Sequence, residues 1–164
     1  MAKQPGFENW QALRKGLTTM TNRQQPIAPR PVITAAEPQL FVGDVRASCD
    51  FFTDKLGFKT TFVYGDPPFY GQVMRDAAKL NLRYVQASSI DTTVRDREEL
   101  LSAVMTVETA DEIKQLFLEF QSAAVQFHQT LKKQPWGATN FIVKDPDGNL
   151  LLFAGPEDTN DGRS

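Results

Sequence analysis

Near its C-terminal end the chain reads KQPWGATNFIVKDPDGNLLLF from Lys133 to Phe153. Phe141 and Val143 alternate with Asn140 and Ile142, a period that is typical of a β-strand. The DPDG sequence supplies a tight reversal, because its glycine accepts a positive φ and its proline fixes a backbone φ. Four apolar residues then form a returning strand. Taken alone, this stretch predicts a β-hairpin, and a core hairpin is its simplest interpretation.

Residues 35–87 predict a strand, a helix and three further strands. The first strand is Gln39–Val42. A helix follows, because apolar residues recur at helical spacing and a glycine closes the run: Val45, Cys49, Phe52, Leu56 and Gly57. The remaining strands are predicted at 59–64, 69–75 and 79–86, with a loop at 65–68 and a turn at 76–78.

Residues 100–156 predict the same order again. A strand at 103–107 leads to Thr109, a helix cap with Glu112 in the position that completes a capping box. Apolar residues then continue at helical spacing through Ala124, and a strand at 127–131 leads to the hairpin. The intervening residues 88–99 are rich in charge and are predicted to be a solvated connection.

A shift of 65 positions superimposes the two halves, pairing Val42 with Val107 and Phe52 with Phe117. An internal repeat of this length indicates two copies of one supersecondary unit. The predicted fold class is therefore α+β, with two βαβββ modules at 35–87 and 100–156. We expect their curved sheets to face each other around a cleft, where small ligands usually bind.

The amino-acid composition argues against several classes of function. The net charge of −2 argues against a nucleic-acid partner, which would call for a basic face. No apolar run approaches the roughly 18 residues of a membrane span, so no membrane partner is expected. The lone Cys49 excludes an intrachain disulfide and favours a cytoplasmic location. The lone His128 argues against zinc, nickel or iron centres, which usually draw on two or more imidazoles.

The two ends of the chain lie outside this repeat. Residues 1–34 are interpreted as an N-terminal extension, with a short amphipathic helix at 7–17 and a proline-containing linker after it. Residues 157–164 are interpreted as a tail.

Three segments of the chain form a recognisable set, namely LFVGD at 40–44, DFFTDKLGF at 50–58 and DPDGN at 145–149. Through these residues the region from Glu37 to Pro156 resembles the glyoxalase/bleomycin-resistance (vicinal-oxygen-chelate) superfamily. The fold hosts lyases, dioxygenases, thiol transferases and drug-binding proteins that are not enzymes, so it does not by itself give a function. Metal-dependent members place ligands at four recurring positions, which fall here on Glu37, Asn81, Ser102 and Leu152. One strong donor of four implies that this metal site is absent, and no cofactor is expected.

Within the superfamily, the chain is most similar to the bleomycin resistance proteins. This likeness rests on FFTDKLGF at 51–58, PFYGQV at 68–73 and QPWG at 134–137. It implies that Phe69 and Trp136 sandwich a planar heteroaromatic group, since flat rings offer large contact area at small entropic cost. It also implies a homodimer, with clefts at the subunit interface and acidic residues that attract a cationic ligand. Glu37, Asp66 and Asp147 are the candidate carboxylates, and Tyr70 lies beside the same strands.

Three functions remain open at this point. The first is a protein that binds and sequesters a planar, cationic small molecule, such as a bleomycin-like glycopeptide, without catalysis. The second is a metal-dependent lyase or dioxygenase of the glyoxalase fold. The third is a non-catalytic interaction protein that uses residues 1–34.

Overall fold

The computed structural model describes residues 29–87 and 91–159. The predicted helix at 7–17 lies outside the described residues. Eight strands and three helices follow one another in the described chain: β1 Gln39–Val42, α1 Val45–Leu56, β2 Lys59–Tyr64, β3 Tyr70–Arg75, β4 Ala78–Tyr84, α2 Thr92–Glu98, β5 Leu101–Thr106, α3 Ala110–Ser122, β6 Phe127–Gln134, β7 Ala138–Lys144 and β8 Leu150–Pro156.

The strands form two four-stranded sheets of identical topology, ordered β1-β4-β3-β2 and β5-β8-β7-β6. In each sheet the strand that comes first in the sequence pairs in parallel with the strand that comes last, β1 with β4 and β5 with β8. The other strand pairs are antiparallel. This repeated order confirms the predicted α+β fold of two βαβββ modules.

Helix α1 begins and ends where the sequence predicts. The Asp44 side chain accepts a hydrogen bond from the Ala47 N–H, and Gly57 ends the helix at φ 68°. Helix α3 begins with the predicted capping box between Thr109 and Glu112. Both helices bury one apolar stripe against their own module's sheet.

The prediction of a solvated connection is incomplete for the described residues 91–99, which are mostly exposed but include a helix. Thr92–Glu98 forms α2, whose first turn is capped by the Asp91 side chain through the Thr93 N–H. Within this charged segment Arg95 is buried, with only 3% of its surface exposed. Tertiary packing has therefore produced a helix that charge patterning alone did not reveal. Strand β6 is also longer than predicted, since it continues to Gln134.

One hydrophobic core includes buried residues of both modules. In the second module, Phe141 of β7 is fully buried and its ring contacts four other phenylalanine rings: Phe117, Phe120, Phe127 and Phe153. The predicted core hairpin is thus present in β7 and β8. Edge-to-face ring pairs of this kind add to the free energy gained by burial.

Among the described residues, polar bonds between the modules include two groups that involve side chains. In one, the Gly43 N–H donates to Asp147 Oδ1 over 2.8 Å, and Asn149 Nδ2 donates to the Phe41 carbonyl over 3.0 Å. In the other, the Arg75 guanidinium donates to both carboxylate oxygens of Glu119 over 2.8 and 3.0 Å. A bidentate pair of this kind fixes orientation as well as distance.

Candidate ligand-binding site

The first sheet packs one face against α1 and leaves its other face partly exposed. In β1, Leu40 and Val42 are buried while Phe41 is 39% exposed. This alternation follows from the period of two in a strand. Other strand residues of the first module also leave large aromatic side chains exposed, namely Phe62, Tyr64 and Tyr84. None of the helices in the described chain is long and apolar enough to cross a membrane.

Phe69 lies just before β3 and is 40% exposed. The edge of Tyr64 packs against its ring, with centroids 5.5 Å apart. The Arg83 guanidinium carbon lies 5.3 Å from the ring centroid, so a cation already occupies part of this aromatic surface. A β-carbon at Gly65, which has φ 101°, would lie 2.4 Å from Phe69 Cδ1. The glycine is therefore required for the loop to hold this ring in place.

Two other predicted site residues flank Phe69. Asp66 is exposed in the connection between β2 and β3. Tyr70 is half-buried and stacks on Phe62, with ring centroids 5.9 Å apart. The structure thus brings Asp66, Phe69 and Tyr70 together at one end of the first sheet.

Trp136 lies in the turn between β6 and β7 and is 73% exposed. It is the most exposed aromatic side chain in residues 29–87 and 91–159. The turn closes through a hydrogen bond from the Gly137 N–H to the Gln134 carbonyl, 3.2 Å long. Trp136 is therefore a surface residue of the second module, and the alternative that it belongs to the core is excluded for the single chain.

Glu37 belongs to a polar network on the first sheet. Gln72 Nε2 donates to Glu37 Oε2 and to Asn81 Oδ1, each over 3.0 Å. Lys79 Nζ lies 3.7 Å from the other carboxylate oxygen of Glu37. Sequence reasoning missed Gln72, whose role depends on the register that places it opposite Asn81. A similar network in the second sheet joins the amides of Gln129 and Gln134 to Asn140.

The four positions that hold metal in the superfamily do not fit a metal ion here. Asn81 Nδ2 donates to Glu37 Oε2 over 3.3 Å, and both residues also accept a hydrogen bond from Gln72. The Ser102 hydroxyl donates to Asn149 Oδ1 over 3.2 Å. Leu152 has no donor atom at all. In the described part of the chain, no group of three His, Cys, Asp or Glu side chains is placed to hold a metal ion.

One cavity in the described chain has none of the predicted site residues in its lining. It measures about 340 Å³ and is lined by residues of both modules, among them Phe58, Arg75, Met105, Glu119 and Phe153. Phe69 and Trp136 instead lie on open surfaces of different modules. Asp147, a candidate carboxylate, accepts the Gly43 N–H and so holds the modules together.

The hairpin turn contains an acid with an unusual pKa. Burial raises the pKa of Asp145 to about 6, and the charge of Asp147 adds to the rise. Hydrogen bonds that Asp145 accepts from Asn149 and from the Asp147 N–H lower its pKa and so limit this rise.

We expect a carbon-detected NMR titration to give a midpoint for Asp145 near pH 6, and Asp147→Asn to lower it. Because the folded chain holds this proton more tightly than the unfolded chain, the group's contribution to stability falls as pH rises from about 4 to about 6. A midpoint for Asp145 at the ordinary aspartate value would contradict the prediction.

Comparison with known proteins agrees with this architecture. The model of the Glyoxalase/Bleomycin resistance protein/Dioxygenase superfamily matches residues 33–153. The chain belongs to this superfamily. Bleomycin resistance proteins from Geobacillus stearothermophilus and Staphylococcus aureus are 31% identical over 126 residues, which cover 71% of this chain and 92% of theirs.

Solved structures of the superfamily share the fold. A bleomycin-binding protein from Streptomyces verticillus, complexed with copper(II)-bleomycin, is 26% identical with a TM-score of 0.58, covering 78% of this chain and all of that one (100%). A superfamily member from Alicyclobacillus acidocaldarius has a TM-score of 0.61 at 19% identity, over 82% of this chain and 100% of that one.

Proposed function

We propose that this protein binds and sequesters a planar, cationic small molecule of the bleomycin class without catalysing a reaction. The observation that carries the proposal is the exposure of Trp136, a large aromatic ring left at 73% exposure in an ordered turn. An exposed tryptophan leaves a large apolar surface in water that a flat ligand can cover. The bleomycin resistance relatives and the bleomycin-bound neighbour support this class of ligand.

The proposed site is formed between two subunits. Phe69 and Trp136 belong to different modules, and neither lines the large cavity of the single chain. We propose a homodimer in which Trp136 of one subunit lies opposite Phe69 of the other, with Tyr70, Asp66 and Glu37 at the margin. Resistance would then follow from holding the ligand more tightly than its target does.

Calorimetric titration with metal-free and copper-loaded bleomycin tests the ligand. We expect saturable heat with at least one form at micromolar protein. The chain has two tryptophans, Trp10 and Trp136. In a Trp10→Phe variant, bleomycin should quench the remaining emission, because the ligand stacks on Trp136. No heat with either form would exclude bleomycin as the ligand.

Arg83 is expected to weaken the binding of a cation. The guanidinium of Arg83 lies over the Phe69 ring, so a cationic ligand must displace this group and is repelled by its positive charge. Arg83→Ala should therefore raise the affinity for bleomycin about two- to tenfold, as expected for one exposed charge. Calorimetry measures the change.

The matched control for this prediction is Arg46→Ala, which removes the same charge from an exposed position of α1. It should leave the affinity nearly unchanged. Weaker binding by Arg83→Ala would show that Arg83 contacts the ligand directly, and would favour a ligand with an anionic group.

A further inference from the structure

Arg95 is a buried cation without a strong partner. It lies in the middle of α2 with 3% of its surface exposed. Its Nη1 is 3.5 Å from the Asp147 carbonyl oxygen, which is long for a hydrogen bond. Its Nε is buried and has no hydrogen-bond partner. Arginine is almost never fully buried unless it is paired, so this guanidinium requires an explanation.

The carboxylates near Arg95 are engaged elsewhere. Asp96 forms an ion pair with Lys144 through Oδ2, while its Oδ1 is buried and has no hydrogen-bond partner. Asp147 accepts the Gly43 N–H, and Asp145 accepts hydrogen bonds from Asn149. Within the described chain, none of these carboxylates lies at ion-pairing distance from the guanidinium of Arg95.

A small cavity adjoins this guanidinium. It measures about 90 Å³ and lies where the parallel strands β1 and β4 end, under the β7–β8 turn. Its lining includes Arg95, Gly43, Gln86 and Asp147. A cavity of this size has room for water molecules or for one small anion.

We propose that this cavity is a binding site for a free inorganic oxyanion such as phosphate or sulfate. Arg95 supplies the charge and an unused N–H donor, and Gln86 belongs to the same lining. Guanidinium groups bind tetrahedral oxyanions through charge-assisted hydrogen bonds. A bound anion would link α2 to both modules, because the lining residues come from each of them.

Thermal unfolding tests the site without any planar ligand, so its outcome does not depend on the proposed function. Sodium phosphate or sulfate should raise the melting temperature in a saturable way when sodium chloride keeps the ionic strength constant. Phosphorus NMR should show broadening of the inorganic phosphate signal by the protein. Absence of both effects in the natural protein would overturn the proposal, since it would leave only water in the cavity.

Two variants assign the effect to this cavity. Arg95→Gln should abolish the phosphate response, whereas Arg97→Gln, on the exposed surface of the same helix, should keep it. A folded Arg95→Gln protein that still responds contradicts the proposal.

If the Arg95→Gln variant does not fold, the Asp147→Asn variant tests the proposed anion site instead. Asparagine keeps the oxygen that accepts the Gly43 N–H and removes the one carboxylate in the described lining. The affinity for phosphate should rise about tenfold as the repulsion disappears. An unchanged affinity would mean that phosphate binds elsewhere.

Discussion

The Trp136→Ala variant should fold normally and lose most of its affinity for bleomycin. The side chain is 73% exposed in a turn, so its removal leaves no cavity and should change the free energy of unfolding by no more than about 0.5 kcal/mol. Loss of an aromatic side chain at the centre of a binding site costs about 2 kcal/mol or more, a fall in affinity of about thirtyfold. Calorimetry with bleomycin and urea denaturation measure the two effects.

Leu118→Ala is the control for this prediction, because it removes a side chain that is 58% exposed on α3. It should alter neither binding nor stability. If Trp136→Ala unfolds the protein, Trp136 has a structural role and cannot be assigned to the ligand.

Mixing two defective proteins tests the proposal that the protein is a homodimer with its binding site between the two subunits. Phe69→Ala and Trp136→Ala homodimers should each bind poorly. In a mixed dimer, one of the two binding sites would pair the intact Phe69 with the intact Trp136, and the other site would carry both substitutions. Co-expressed and purified mixed dimers should therefore regain about one strong site per dimer. No recovery would mean that both rings contact the ligand within a single chain or that they do not act together.

The second large effect is expected in the core. Phe141→Ala should destabilise the protein by about 3–5 kcal/mol, because it leaves a cavity where one ring contacts four others. The shift of the urea unfolding midpoint measures this cost. Phe141→Leu should cost clearly less, since it retains most of the apolar contact. A loss below about 1 kcal/mol for the alanine variant would show that the surrounding rings collapse into the space.

Periodicity and turn chemistry predicted most of the fold. The helix from Val45 to Leu56, its glycine end and the capping box at Thr109 all follow from local spacing, and each is present. Helix α2 was missed because its burial comes from contact with the β7–β8 turn, which no local pattern records.

The candidate site could be predicted only in part. Trp136 was singled out from resemblance and from its Pro and Gly neighbours, which predict a strand entrance, and the structure places it in the turn between β6 and β7. The network of Gln72 with Glu37 and Asn81 depends on strand register, and register is set by pairing across the sheet. The resemblance therefore pointed to single residues but not to the hydrogen bonds between them.

The parallel pairing of first and last strands has a consequence for how the chain folds. Each module closes its own sheet, as Gln39 pairs with Asn81 and Leu101 with Leu150. The entropic cost of closing a loop grows only with the logarithm of its length. The two modules should therefore lose similar amounts of conformational entropy when their sheets close. The bond from Gly43 to Asp147 spans 104 positions and can form only after both ends are ordered. The rate of folding should therefore be set by the closure of one module rather than by the length of the whole chain.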